Sequence, residues 1–155
     1  MFICRHCPFV VHVREEIARV GKDYSGKVDM IAVCSNDAAS HPDDAPAKLK
    51  EMAEELGFVF PLCADETQEV AKKFAAACTP EFYLFDAAGK LAYRGQLDGS
   101  RPKNNIPVDG RDLRAAMDAL LAGGRPGPNQ MPGIGCNIKW KAGQEPEYSA
   151  AALVK

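Results

Sequence analysis

Long apolar runs are missing from this chain. The longest, such as Phe82 to Phe85, are far too short to cross a bilayer, and no charged segment precedes a leader-like apolar stretch. Strong charge of either sign is missing too. The formal net charge is −2 and the basic residues do not cluster, which argues against nucleic acid as the main partner. Lys72-Lys73 and Lys139 to Lys141 read as solvated faces. The six cysteines, Cys4, Cys7, Cys34, Cys63, Cys78 and Cys136, are too sparse and too irregular for a disulfide-stapled secreted scaffold. Four of them sit in apolar surroundings typical of buried free thiols, so a reducing, cytoplasmic compartment is expected. Internal repeats and a second domain are also lacking.

What remains is a chain of 155 residues with 46% hydrophobic and 26% charged residues, enough for one soluble domain with a real core. Its opening stretch, M-F-I-C-R-H-C-P-F-V, runs an apolar stub into two cysteines spaced C-x-x-C. Pro8 suits the first turn of a helix. Val10, Val13, Ile17 and Val20 then recur at helical spacing, and Gly21 marks the expected stop. Val28 to Cys34 reads as a buried strand. His41 to Asp44 offers cap residues for a helix whose inner face is Leu49, Met52 and Leu56, stopped by Gly57. After the short apolar piece Phe58 to Leu62, Asp65 and Gln68 form a capping-box-like start to a third helix with Val70, Ala71 and Phe74 as its buried stripe.

Thr79-Pro80 then precedes an apolar strand, Glu81 to Asp86, which the turn Ala87 to Lys90 folds back onto Leu91 to Gln96 as a hairpin. Leu97 to Gly110 is a polar loop rich in Pro and Gly, where Asp98 and Arg101 are candidates to border a substrate groove. Leu113, Ala116, Met117, Leu120 and Leu121 make the last clear helix. The segment after Arg125 is loop-like yet carries Ile134, Cys136, Ile138 and the single Trp, so it is expected to pack back onto the domain. The order β-α-β-α-(short β)-α-β-β-α is that of an α/β protein with a mixed sheet, spanning residues 1–141, with 142–155 as a tail.

A C-x-x-C pair also occurs in zinc sites, but zinc normally takes four ligands and no second pair is present; Cys4, Cys7, His6 and Cys136 would have to be brought together by folding. Neither a metal nor any other cofactor is expected. The redox alternative has a direct mechanism. A thiolate at a helix N-terminus is stabilised by unpaired N–H groups and the helix dipole. His6, between the thiols, either adds charge or is a spacer. The Thr79-Pro80 bond is a candidate cis-proline loop that would set backbone groups beside the thiols.

Strand, C-x-x-C, helix, strand, Thr-Pro, hairpin and closing helix together resemble the thioredoxin fold. The strings F-I-C-R-H-C-P-F-V, D-E-T-Q-E-V-A, C-T-P-E-F-Y-L-F-D, Y-R-G-Q-L-D-G-S-R-P and I-G-C-N-I-K-W are similar to the thioredoxin-like branch of the alkyl hydroperoxide reductase/thiol-specific antioxidant (peroxiredoxin-like) superfamily. The resemblance implies that Cys4 and Cys7 are the redox pair and Pro80 the cis-proline, with His6 and Thr79 modulating the site. In a reductase, Cys4 would be the exposed nucleophile and Cys7 would resolve the mixed disulfide. In a peroxidase, Cys7 would be peroxidatic, with Cys4 standing where a Thr or Ser hydroxyl normally sits. That replacement favours the dithiol reductase, whose partners would be a protein or small-molecule disulfide, or else a hydroperoxide, and a thiol electron donor. Cys136, in its Gly-rich loop, is a candidate third redox thiol, whereas Cys34, Cys63 and Cys78 read as buried small hydrophobes. A redox-inactive or zinc-holding interaction domain is the remaining class. The resemblance also leads us to expect a strand segment and most of the central strand before Met1, so the chain is expected to be less stable than a complete domain of this kind.

Overall fold

The computed structural model describes residues 1–152, with side chains through Ser149. Its centre is the helix α1 (Pro8–Asp23), which Cys7 caps and Pro8 begins. Val10, Val13, Ile17 and Val20 are buried along one face, as the spacing predicts. The helix does not stop at Gly21. The Phe60 ring lies where a Cβ on Gly21 would be, at 2.5 Å, so this glycine serves close packing rather than termination. Glu16, buried on the same helix, is neutralised by Arg114 at 2.7 Å and Arg19 at 2.6 Å.

The strands are short. Strand β1 (Ala32–Cys34) runs parallel to β2 (Leu62–Ala64), and β4 (Phe82–Phe85) pairs antiparallel with β5 (Leu91–Gly95). Between these two pairs lies the N-terminal stub, bridged to Val33 in parallel and to Glu81 in antiparallel sense through Phe2. Four backbone bonds make the joint: Phe2 N–H to Glu81 O at 2.8 Å, Glu81 N–H to Phe2 O at 3.1 Å, Ile3 N–H to Val33 O at 3.0 Å and Val33 N–H to Met1 O at 2.9 Å. The result is the mixed sheet of a thioredoxin-like α/β fold, narrowed at its centre to a few residues. The strand expected over Val28 to Cys34 forms only from Ala32. The Met1 amino group donates to Ile31 O at 2.9 Å, but Val28–Ile31 joins no ladder among the described residues.

Helices α2 (Pro46–Leu56) and α4 (Arg111–Leu121) fall where the pattern places them, and α2 ends on Gly57 in the left-handed region. A 3-10 turn at Pro42–Asp44 precedes α2. In the short α3 (Glu69–Phe74) only Ala71 of the expected stripe is buried; Val70 and Phe74 are each 38% exposed and face a groove beside the stub. The polar loop from Leu97 is organised by Asp98. This buried carboxylate accepts N–H groups from Ser100, Asp109 and Gly110, while Arg101 is spent on the carbonyls of Asp98 and Ser100 and on Gln96. Both residues hold the loop, and both also line a small pocket beside Pro80.

Two strands of two residues complete the architecture: β3 (Cys78–Thr79) and β6 (Cys136–Asn137), paired antiparallel with Thr79 opposite Cys136. The tail from 142 includes α5 (Glu147–Ala152), which packs back through Tyr148 onto Trp140 and onto the carbonyl of Ala71; residues 153–155 lie outside the described chain.

Candidate active site

Cys4 and Cys7 flank the turn from stub to α1, and both are fully buried. Their common neighbour is Thr79. Its hydroxyl lies 3.3 Å from Cys4 Sγ, and its carbonyl accepts the Cys7 thiol proton at 3.3 Å. The Thr79-Pro80 bond is cis, so the loop expected beside the thiols is there. Cys4 is not the exposed thiol that a reductase reading assigns to the first cysteine. The stub carries it into the core with Ile3, under the Thr79 side chain.

Position decides how the two thiols ionise. Cys7 is the N-cap residue of α1, near the helix N–H groups, and its surroundings include the Cys4 and Cys136 side chains. Donation from Cys4 is the largest effect, and together these groups hold the Cys7 pKa down at about 4 against the cost of burial. Cys4 moves the other way. The neighbouring Cys7 sulfur, burial and the Asp44 carboxylate all push its pKa up. When Cys7 ionises, its donation to Thr79 O ends and the sulfur becomes an acceptor.

Asp44 has no place in the C-x-x-C pattern, yet it fixes the turn. Its carboxylate accepts Arg5 N–H at 2.7 Å, His6 Nδ1–H at 2.5 Å and the Asn36 amide at 2.8 Å. His6 is thus held by Asp44, its ring stacked on His41 at 5.1 Å. Asn36 in turn accepts Lys139 N–H at 2.8 Å, and buried Gln68 donates to Ser35 O and Lys139 O and accepts Lys141 N–H. These contacts pin the segment after β6 across the site. Among the described residues Cys4, His6 and Asp44 are the set whose potential metal-ligand atoms converge, within 4.8 Å of one another. They are three rather than four, and the Asp44 oxygens already accept three N–H donors.

Cys136 is brought to the pair, as the Gly-rich loop allows. Gly135 lies so close to the cis-proline loop that a Cβ there would come within 1.9 Å of Thr79 O. Cys136 is half-buried, its pKa pushed up to about 11 by burial and by the facing Cys7 sulfur. Cys78 is half-buried beside Gly133 O and Glu81, its pKa pushed up to about 12 chiefly by burial. Of the three cysteines read as buried, only Cys34 is so. Cys63 is exposed and lines the apolar groove beside the stub. This groove, of about 780 Å³, is lined by residues that include Met1, Phe2, Ile31, Phe74 and Tyr83 and by neither Cys4 nor Cys7.

Two thiols three residues apart at a helix start, facing a cis-proline loop across a mixed sheet, define a thioredoxin-like protein. The Redoxin family model matches residues 1–108, and the chain belongs to the Redoxin family. Among solved structures it is similar to an uncharacterized conserved protein from Geobacillus kaustophilus, at 57% identity and a TM-score of 0.90, over 92% of this chain and 76% of that one. A hypothetical protein from Sinorhizobium meliloti 1021 is similar at 46% identity and a TM-score of 0.90, over 92% of this chain and 78% of the other. No curated protein matches. Among the described residues no helix is long and apolar enough to cross a membrane.

Proposed function

We propose that this protein is a thiol-disulfide oxidoreductase that cycles Cys4 and Cys7 between dithiol and disulfide, with Cys7 as the attacking sulfur. The observation that carries this reading is the placement of Cys7 at the N-cap of α1, with the Thr79-Pro80 loop hydrogen-bonded to both Cys4 and Cys7. The Cys7 thiolate attacks one sulfur of a disulfide, forming a mixed disulfide and expelling the other sulfur as a thiolate. Cys4 then loses its proton and attacks Cys7 Sγ, closing the Cys4–Cys7 disulfide and releasing the second thiolate. Two electrons have moved from the pair to the substrate, and an external thiol donor returns them. Cys4 is suited to the second step, because it stays protonated until its neighbour has lost its charge.

A second reading is favoured by the burial of Cys7. A hydroperoxide needs far less room than a protein disulfide, and its terminal oxygen would convert the Cys7 thiolate to a sulfenic acid that Cys4 condenses with, releasing water. Stopped-flow oxidation of the reduced protein separates the two. Rapid Cys4–Cys7 formation with a disulfide substrate and slow formation with hydrogen peroxide supports exchange, and the reverse order selects the peroxidase. Inertness of Cys7 to both would sink the proposal.

A further inference from the structure

Both residues of the Cys4–Cys7 pair are 0% exposed, so a bulky thiol donor reaches a disulfide between them less readily than one that includes a half-buried cysteine. Cys136 is the cysteine that meets both the pair and the solvent. It lies opposite Thr79, whose carbonyl accepts the Cys7 thiol proton, in the β3–β6 pairing; it packs against the buried cluster that holds Cys4 and Cys7, and it is half-buried rather than enclosed. The other cysteines are placed differently. Cys63 is on β2, Cys34 is enclosed in the core, and Cys78 is turned to Gly133 O at 3.6 Å. The strap carrying Cys136 is held in register by Gly135 against Thr79 and by the Asn36 bond to Lys139, which fixes the third thiol at the site.

We infer that Cys136 is a third redox residue of this protein, a relay that takes the disulfide from the buried Cys4–Cys7 pair to the surface, where a thiol donor reduces it. This rests on the dithiol cycle proposed above. In the oxidised protein Cys136 loses its proton to solvent and its thiolate attacks Cys7 Sγ. Cys4 departs as a thiolate and is protonated, leaving a Cys7–Cys136 disulfide. The donor thiolate then attacks Cys136 Sγ, forming a mixed disulfide and releasing Cys7 as a thiolate. A second donor thiolate attacks the donor sulfur, so that Cys136 is freed and the donor leaves as its own disulfide. One protein disulfide and two donor thiols give two protein thiols and one donor disulfide. The second transfer is favoured because Cys7, held at a pKa of about 4, is a good leaving group.

The test uses the full chain in three forms. Cys4→Ser, oxidised with one equivalent of hydrogen peroxide or diamide and mapped by mass spectrometry without reduction, is expected to carry a Cys7–Cys136 disulfide. Cys136→Ser and Cys136→Ala, oxidised and mixed with reduced thioredoxin as a bulky dithiol probe, are expected to be reduced ten-fold or more slowly than wild type, a larger loss than in their oxidation rate. If wild type forms Cys4–Cys7 but Cys4→Ser never links Cys7 to Cys136, or both Cys136 variants are reduced at the wild-type rate, the relay alone is overturned. If wild type forms no Cys4–Cys7 disulfide with any oxidant, the dithiol cycle fails and the relay with it.

Discussion

Replacing Cys4 by alanine removes the sulfhydryl that does most to stabilise the Cys7 thiolate. The sign follows from which protonation state the donor favours. A hydrogen bond to the charged sulfur lowers its pKa, so deleting the donor raises it and shifts the thiolate-forming pH window upward. In wild type, the ultraviolet thiolate absorbance and the rate of alkylation by a small reagent should rise through a midpoint near pH 4. In Cys4→Ala that midpoint should move up by about one unit or more, whereas Cys4→Ser, which keeps an O–H donor, should sit between the two. A midpoint unchanged in Cys4→Ala would assign the stabilisation to the helix end and Cys136 instead. The buried Asp44 carboxylate serves three donors at once. Asp44→Ala leaves the Arg5 N–H, His6 and Asn36 without an acceptor and is expected to cost about 3 kcal/mol in urea unfolding. A loss below about 1 kcal/mol would mean that water replaces the carboxylate there.

At the scale of elements, the parts readable from the sequence are those whose cause is local. Helix α1 with its cap and proline and the β4–β5 hairpin each follow from residues within a few positions of one another, whereas the Thr79-Pro80 loop was legible only together with the distant C-x-x-C and the family resemblance. The parts that escaped reading depend on distant partners. Asn36 reaches Lys139 across 103 positions and His6 reaches Asp44 across 38, so neither contact leaves a mark in spacing. Strand β6 was legible only as a stretch with apolar residues in a glycine-rich loop, since two residues make no periodic pattern. Its glycine supplies the test. An added Cβ at Gly135 would sit 1.9 Å from Thr79 O and 3.1 Å from Pro80 N, and backbone on both sides cannot yield. Gly135→Ala should therefore lift the strap from β3, costing about 1–3 kcal/mol in equilibrium unfolding. It should also lower the yield of Cys7–Cys136 cross-link in the Cys4→Ser background, while Gly127→Ala, where a Cβ meets nothing within 4 Å, should do neither.

For the molecule as a whole, the narrow waist of the sheet matters more than any one contact. The parallel pair β1–β2 and the hairpin β4–β5 share only the bonds made by Met1, Phe2 and Ile3, and beside that joint lies the apolar groove of about 780 Å³. Phe74 and Ile31 remain exposed on its walls, which explains why the buried stripe expected on α3 is not buried. The sequence shows apolar residues at these places but not whether anything lies over them, because burial is a property of the assembled sheet. The same stub positions Cys4, so stability of the waist and stability of the site are coupled. Fusing four or five β-branched residues before Met1, in register to continue the stub between Ile31 and β4, would bury two or three apolar side chains at about 1.5–3 kcal/mol each, less the entropy of ordering them. A net gain of about 2–3 kcal/mol corresponds to a rise of about 4–12 °C in melting temperature for a chain of this size. Binding of a hydrophobic dye to the reduced protein should fall in parallel. A control extension of the same length in glycine and serine should change neither, and an equal rise with both extensions would show that chain length, rather than completion of the sheet, sets the stability of the waist.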